Sequence, residues 1–106
     1  MRRISLASII GIAQPETLKL KGHIKKHNII VLINSGSTHN IIDFNVAKRL
    51  NIFSYPIEDL KFMVANGKII DGVGKCHKVK MQLNDYEMES SFYTVPLGGV
   101  DVVLGV

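Results

Sequence analysis

The stretch Val31-Leu32-Ile33-Asn34-Ser35-Gly36-Ser37-Thr38-His39-Asn40 decides how the rest of the sequence is read. It begins inside residues 29–33, a continuous run of Ile, Val and Leu that suits a strand buried on both faces. That strand delivers a polar residue, Asn34, into a sharp turn rich in hydroxyls, with Gly36 at its centre. Asn, Ser and Gly are the commonest turn formers, so the segment could be a turn and nothing more. What surrounds it decides its meaning.

Short strand patterns extend in both directions. Upstream, Leu18, Leu20, Gly22 and Ile24 alternate with Lys19, Lys21 and His23, the period of a half-buried strand. Residues 25–28, Lys-Lys-His-Asn, turn the chain. Downstream, one helix is predicted over residues 43–50. Asp43 caps its start, and Val46, Ala47 and Leu50 share a face. Lys48 and Arg49 suit the negative end of the helix dipole, and Asn51 closes the helix because Asn tolerates the left-handed conformation. Phe62-Met63-Val64-Ala65 and Lys68-Ile69-Ile70 flank Asn66-Gly67, a strong hairpin signal. Residues 75–83 alternate around Val79, Met81 and Leu83, and Asn84-Asp85 offers a second tight turn into residues 86–95. Gly98-Gly99 loosens the chain before residues 100–106. The pattern amounts to about seven strands, one short helix and no internal repeat, a small and mostly antiparallel all-β domain.

Composition sets the outer bounds. With 106 residues, the chain reads as a single domain, residues 1–106. Cys76 is the one cysteine, so no internal disulfide forms and a reducing compartment fits. The longest aliphatic run is five residues, 29–33, where a membrane span needs about 20, so no membrane partner is expected. The net charge of +4 is a mild bias. Lys19, Lys21, Lys25 and Lys26 lie close together in sequence and could attract phosphate, but single-strand binders interleave such charge with stacking aromatics. No Phe, Tyr or Trp precedes Phe44. Solvated lysines that guard strand edges are therefore the reading, and no direct nucleic-acid partner is expected. Met1-Arg2-Arg3 followed by apolar residues 4–13 has the outline of a signal peptide, interrupted by Ser5, Ser8 and Gly11.

The segment around Asn34 resembles the active-site segment of aspartic proteases, whose pattern is apolar-apolar-Asp-Ser/Thr-Gly-Ser/Thr. Val103-Leu104-Gly105 matches the apolar-apolar-Gly element that packs beneath that loop in the family, and Asn66-Gly67 falls where the family carries its flap. Ile4-Ser5-Leu6, Gly22-His23-Ile24, residues 34–43, Val95-Pro96-Leu97-Gly98-Gly99 and residues 101–106 are together similar to the retropepsin-like protease domain of gypsy-type LTR retrotransposon polyproteins, plant ones above all. The five segments occur in order and cover nearly the whole chain.

The resemblance implies a closed retropepsin-like (acid protease) β-barrel with one short helix. It implies no cofactor, and an aspartic-type endopeptidase acting on a peptide or polyprotein substrate. Ile4-Ser5-Leu6 falls where such domains begin, so residues 4–13 are expected to open the domain rather than direct secretion, and the setting is intracellular. The active-site pattern occurs once in the chain, so a complete site implies a homodimer. The chain stops at Val106, where the family continues into a helix that helps dimerise. A domain truncated at its C-terminal end and mostly monomeric at micromolar concentration is the expectation.

At one position the pattern is broken. The family's catalytic Asp corresponds to Asn34. The chemistry uses two carboxylates that share one proton, one acting as base on water and the other as acid toward the peptide carbonyl. An amide does neither, and each role is worth about 10²–10⁴-fold in rate. The domain is therefore expected to be inactive as written. By the same resemblance, Ser35 would bond the backbone across the dimer axis and Gly36 would allow close backbone approach. Ser37 would hydrogen-bond the side chain at position 34, and Ala65, Asn66 and Gly67 would form the substrate-binding flap. The alternative is a non-enzymatic peptide-binding or dimerisation β module retained from such a protease; a small secreted β domain is the third reading. His23, His27, His39 and His77 have no metal-ligand spacing. Cys76 reads as an inert structural thiol, Asp43 as a helix cap and Asp101 as a surface residue that precedes a strand.

Overall fold

A computed structural model describes residues 2–3, 17–34, 39–63 and 69–105. These hold ten strands: β1 (Arg2–Arg3), β2 (Thr17–Ile24), β3 (His27–Asn34), β4 (Ile41–Asp43), β5 (Tyr55–Pro56), β6 (Lys61–Met63), β7 (Ile69–Asp71), β8 (Gly74–Leu83), β9 (Tyr86–Val95) and β10 (Val102–Gly105). One helix, α1 (Phe44–Arg49), follows β4. The strands beyond the seven expected include two- and three-residue pieces such as β1, β4 and β5. Segments so short have no readable period and become strands only by pairing with a neighbour.

Six strands close on themselves in the order β2-β3-β10-β4-β9-β8, and β8 pairs back onto β2. Closure runs through two residue pairs, Gly22 opposite Leu83 and His23 opposite Gln82. Gly22 is required there: a Cβ would lie 2.8 Å from the Gln82 carbonyl oxygen and 2.8 Å from a Leu83 methyl. The ten-residue β8 is long enough to pair with β2 at its end while β5 joins near its start, Tyr55 opposite Lys75. A second, three-stranded sheet has the order β1-β6-β7.

Two apolar clusters explain the unbroken hydrophobic runs. Ile29, Val31, Ile42, Met81, Phe92, Val102 and Leu104 belong to one cluster. Leu32, Ile41, Leu60, Phe62, Val95, Val100 and Val103 belong to the other. Successive residues of a strand point to opposite faces, so the adjacent strands β3, β10 and β4 each send side chains into both clusters. That is why residues 29–33, 41–42 and 102–104 carry no polar alternation. Ile30 departs from the expected burial, being 40% exposed. Truncating a side chain held between these layers, Ile42→Ala for example, costs about 2–5 kcal/mol.

The helix forms as its sequence dictates. Asp43 has extended backbone and its carboxylate accepts from the Val46 amide at 3.2 Å, an N-cap. Val46, Ala47 and Leu50 are buried in the first cluster. Asn51 adopts φ 56°, its amide donates to the Lys48 carbonyl and the Ile52 amide donates to the Ala47 carbonyl. This pair of bonds is a Schellman motif, with Asn in the left-handed place that glycine usually fills.

The β2–β3 turn narrows to Lys25-Lys26, at φ 50° and 67°, because His27 and Asn28 already pair with Ile24 and His23. Hairpins this tight favour Asn-Gly, and a lysine is strained there. Lys25 Nζ has a use for the position: it donates to the Leu50 carbonyl at 3.1 Å and the Asn51 carbonyl at 3.3 Å, satisfying the C-terminal end of α1. The lysine is thus more than a solvated turn residue.

The burial of Cys76 agrees with its reading as a structural thiol, and strand β8 shows how that burial arises. A strict alternation around Val79, Met81 and Leu83 would turn Cys76 outward, yet it is fully buried. A bulge between Cys76 and Val79, with Lys78 at φ 55°, inserts one residue and brings both inward.

Candidate active site

Strand β3 ends at Asn34, and the parallel strand β10 ends beside it. Their register pairs Val31 with Val102, Ile33 with Leu104 and Asn34 with Gly105. On the other side, Asn34 lies opposite Thr17 of β2. Asn34 is 2% exposed, one of three buried polar residues among the described ones, with Asp43 and Thr94. The alternation along β3 places it on the face of Leu32, the face that packs with Leu60 and Phe62 around the β6–β7 hairpin. The structure therefore brings together the apolar-apolar-Gly element and the segment around Asn34, as the sequence reading required.

Ser35, Gly36 and Ser37 lie outside the described residues, as do Ala65, Asn66 and Gly67. The legs of the hairpin that carries the last three are described. β6 and β7 pair antiparallel, with Lys61 opposite Asp71 and Met63 opposite Ile69. Lys61 Nζ binds the Asp71 carboxylate at 2.6 Å across the exposed face, and this partner holds the lysine's pKa above its ordinary value.

The last two residues of the quoted stretch, His39 and Asn40, do more than the sequence reading assigned them. Asn40 fastens the chain after the turn to two strands. Its Oδ1 accepts from the Gly105 amide at 3.0 Å, its Nδ2 donates to Ser90 Oγ at 3.0 Å, and its carbonyl accepts from the Tyr93 amide at 2.9 Å. His39 packs edge-on against Tyr93 and Phe62, with ring centroids 5.4 and 6.2 Å away, and Phe62 and Tyr93 meet at 5.9 Å. The ring cluster joins His39 to the base of β6 and to β9. Such edge-to-face pairs add about 0.5–1.5 kcal/mol each beyond area burial. Lys75 Nζ lies 5.2 Å from the centre of the Tyr93 ring. The sequence signal was only their adjacency to Asn34 in the chain; the ring partners come from positions 62 and 93.

Asp43 and Asp101 are where the nearby carboxylates go. Asp43 Oδ1 accepts from the Leu97 amide at 2.7 Å and Oδ2 from the Val46 amide, so both oxygens hold backbone donors. Asp101 is half-buried rather than a surface residue. Its carboxylate accepts from the Ile30 amide at 2.7 Å, its own amide donates to the Ile30 carbonyl, and its carbonyl accepts from Asp43 N. These bonds extend the β3–β10 contact one residue beyond the ladder. Cys76 is buried, and burial pushes its thiol pKa up, with a smaller opposing effect from a hydrogen bond to Ser54. A neutral buried thiol is a poor nucleophile.

No family model matches the sequence, and no curated protein does. Among solved structures, the retroviral protease-like domain of Ddi1 from Leishmania major is similar to this chain with a TM-score of 0.64 and 17% identity, over 87% of this chain and 74% of that one. The protease of Simian Foamy Virus (mac) aligns with a TM-score of 0.49 and 15% identity, over 83% and 87% of the two chains. The fold is therefore retropepsin-like: all-β, a six-stranded closed barrel and one short helix.

Proposed function

We propose that this chain is an aspartic-type endopeptidase domain, derived from an intracellular retrotransposon polyprotein, that is inactive as written because Asn34 stands in the place of the catalytic Asp. The observation that carries the reading is Asn34: a buried amide at the end of β3, in register with Gly105, where the resemblance sets a catalytic carboxylate. Asp43 supplies no substitute acid, since both its oxygens are occupied by backbone amides. Substrate would lie as an added strand between the hairpin and the floor formed by β3 and β10. Two copies of the chain would bring two Asn34 residues together, leaving the paired site without a titrating group.

The test is hydrolysis of a mixed peptide library between about pH 3 and 8, with dimer content followed by sedimentation. The protein as written should cleave nothing. Asn34→Asp should restore cleavage in the dimer, with a bell-shaped profile on the acidic side of neutrality, because the dyad must hold one proton and lose the other. A statine-type peptide, which sets a hydroxyl between the carboxylates, should block it. Statine-sensitive cleavage by the Asn34 protein would overturn the loss of activity. A dimeric Asn34→Asp variant without activity would leave peptide binding or dimerisation as the role, the second reading.

A further inference from the structure

Outside the candidate active site, the fold assembles a surface that the linear sequence scatters. Phe53 and Tyr55 are 70% and 51% exposed, and their rings meet edge-to-face at 4.7 Å. His77 continues the row, 5.3 Å from the Tyr55 ring. These three rings line a groove of about 890 Å³ together with Lys25, Lys78 and Lys80. Past Lys25 and Lys80 the groove runs into a second depression of about 610 Å³, also lined by Lys21, His23 and Lys26. Along both, Glu87 is the one acidic residue among the described residues of the lining. Neither is lined by Asn34.

Backbone strain follows the same track. Among the described residues six non-glycine ones have positive φ, and three are the groove lysines Lys25, Lys26 and Lys78. Glycine or asparagine would adopt these angles at lower cost. Lys25 is accounted for by its bonds to the carbonyls that end α1. For Lys26 and Lys78, no hydrogen bond or ion pair within the described fold gives the charge a use, and the bulge at Lys78 sets it beside the aromatic row. The left-handed angle makes the two-residue turn at Lys26 and the bulge at Lys78, yet neither place needs a lysine, and a costly cation kept there points to function.

We propose that this groove binds single-stranded nucleic acid, its bases stacking on Phe53 and Tyr55 and its phosphates meeting Lys21, Lys26, Lys78 and Lys80. Exposed rings interleaved with cations are what sequence-tolerant single-strand binding needs. The absence of aromatics near Lys19–Lys26 in sequence argued against such a partner; the fold supplies them from β5 and the segment that precedes it. An acidic peptide would meet the same charge but would leave the ring faces unused.

The probes are fluorescein-labelled oligo(dT) and oligo(U) of about fifteen nucleotides, followed by anisotropy. Neutralising four phosphates gives a log–log salt slope of about −2.8, and so roughly a fifty-fold loss of affinity between about 50 and 200 mM salt. Phe53→Ala and Tyr55→Ala should each weaken binding roughly ten-fold, and Phe53→Leu, which keeps apolar bulk without a ring, should weaken it as well. Lys78→Glu should flatten the slope by about 0.7. The exposure of these positions keeps the fold out of the readout, and circular dichroism of each variant checks it. No binding at about 50 mM salt overturns the proposal. Binding indifferent to the ring substitutions, a duplex bound as tightly as the single strand, or equal displacement by poly-glutamate would each overturn it too.

Discussion

The amide of Gly105 donates to Oδ1 of Asn40 across 3.0 Å, tying the last residue of β10 to the segment that leads into β4. The same side chain donates to Ser90 Oγ, so one half-buried amide holds β9 and β10 in place around Asn34. Asn40→Ala removes both bonds and leaves the Gly105 amide without its acceptor. We expect a loss of about 1–3 kcal/mol in urea unfolding. Asn40→Asp keeps an acceptor for Gly105 and should lose less. If Asn40→Ala unfolds at the parent's midpoint, this side chain does not organise the site.

Asp43 joins the helix start to the segment before β10, through Val46 and Leu97. Asp43→Ala should destabilise by about 1–3 kcal/mol, because two backbone donors lose their acceptor. Asp43→Asn retains one acceptor oxygen and should fall between the two. Chemical denaturation of the three proteins orders them, and an alanine variant as stable as the parent would show the two bonds to be replaceable by water.

Lys26 sits at φ 67° in a two-residue turn. Lys26→Gly should raise stability by about 0.4–1 kcal/mol, the strain relieved exceeding the backbone entropy that glycine adds to the unfolded chain. Lys25→Gly relieves similar strain but forfeits the bonds to the Leu50 and Asn51 carbonyls, so it should gain less or lose. Thermal melts of both distinguish strain from capping. The first substitution should also weaken oligonucleotide binding, stability and function moving in opposite directions.

Burial raises the Cys76 pKa, so the folded state holds the thiol neutral while the unfolded state releases its proton from about pH 9 upward. This group's contribution is therefore fully present below the unfolded pKa and lost as pH rises through the folded one. Native protein should resist a thiol reagent at pH 8, and modification should follow global unfolding in denaturant. A thiol that reacts at once in the native state would place Cys76 at the surface. The drop in stability between about pH 8 and 10 should be smaller in Cys76→Ala than in the parent.

Helix α1 was legible from sequence to the residue, from the Asp43 cap to the left-handed Asn51, because capping is settled by hydrogen bonds between residues three to five apart. The apolar run at residues 29–33 announced a strand with side chains in both layers, and it does send Val31 and Leu32 into opposite clusters, although Ile30 stays exposed. The pairing of Asn34 with Gly105 came from a resemblance between segments, and the structure sets those segments side by side. Other features have no local signature. Asp101 bonds Ile30 across 71 residues of chain, and a residue before a strand looks the same in sequence whether or not such a partner exists. The bulge that buries Cys76 is fixed by the register of β8 against β9, and the barrel closes only because β2 meets β8 at Gly22. Closure likewise carries Lys25 and Lys80 to Phe53 and Tyr55. Periodicity and turn chemistry act over a few residues and so are written in the sequence; contacts between distant strands depend on which edges meet when the sheet closes, and only the tertiary structure decides that.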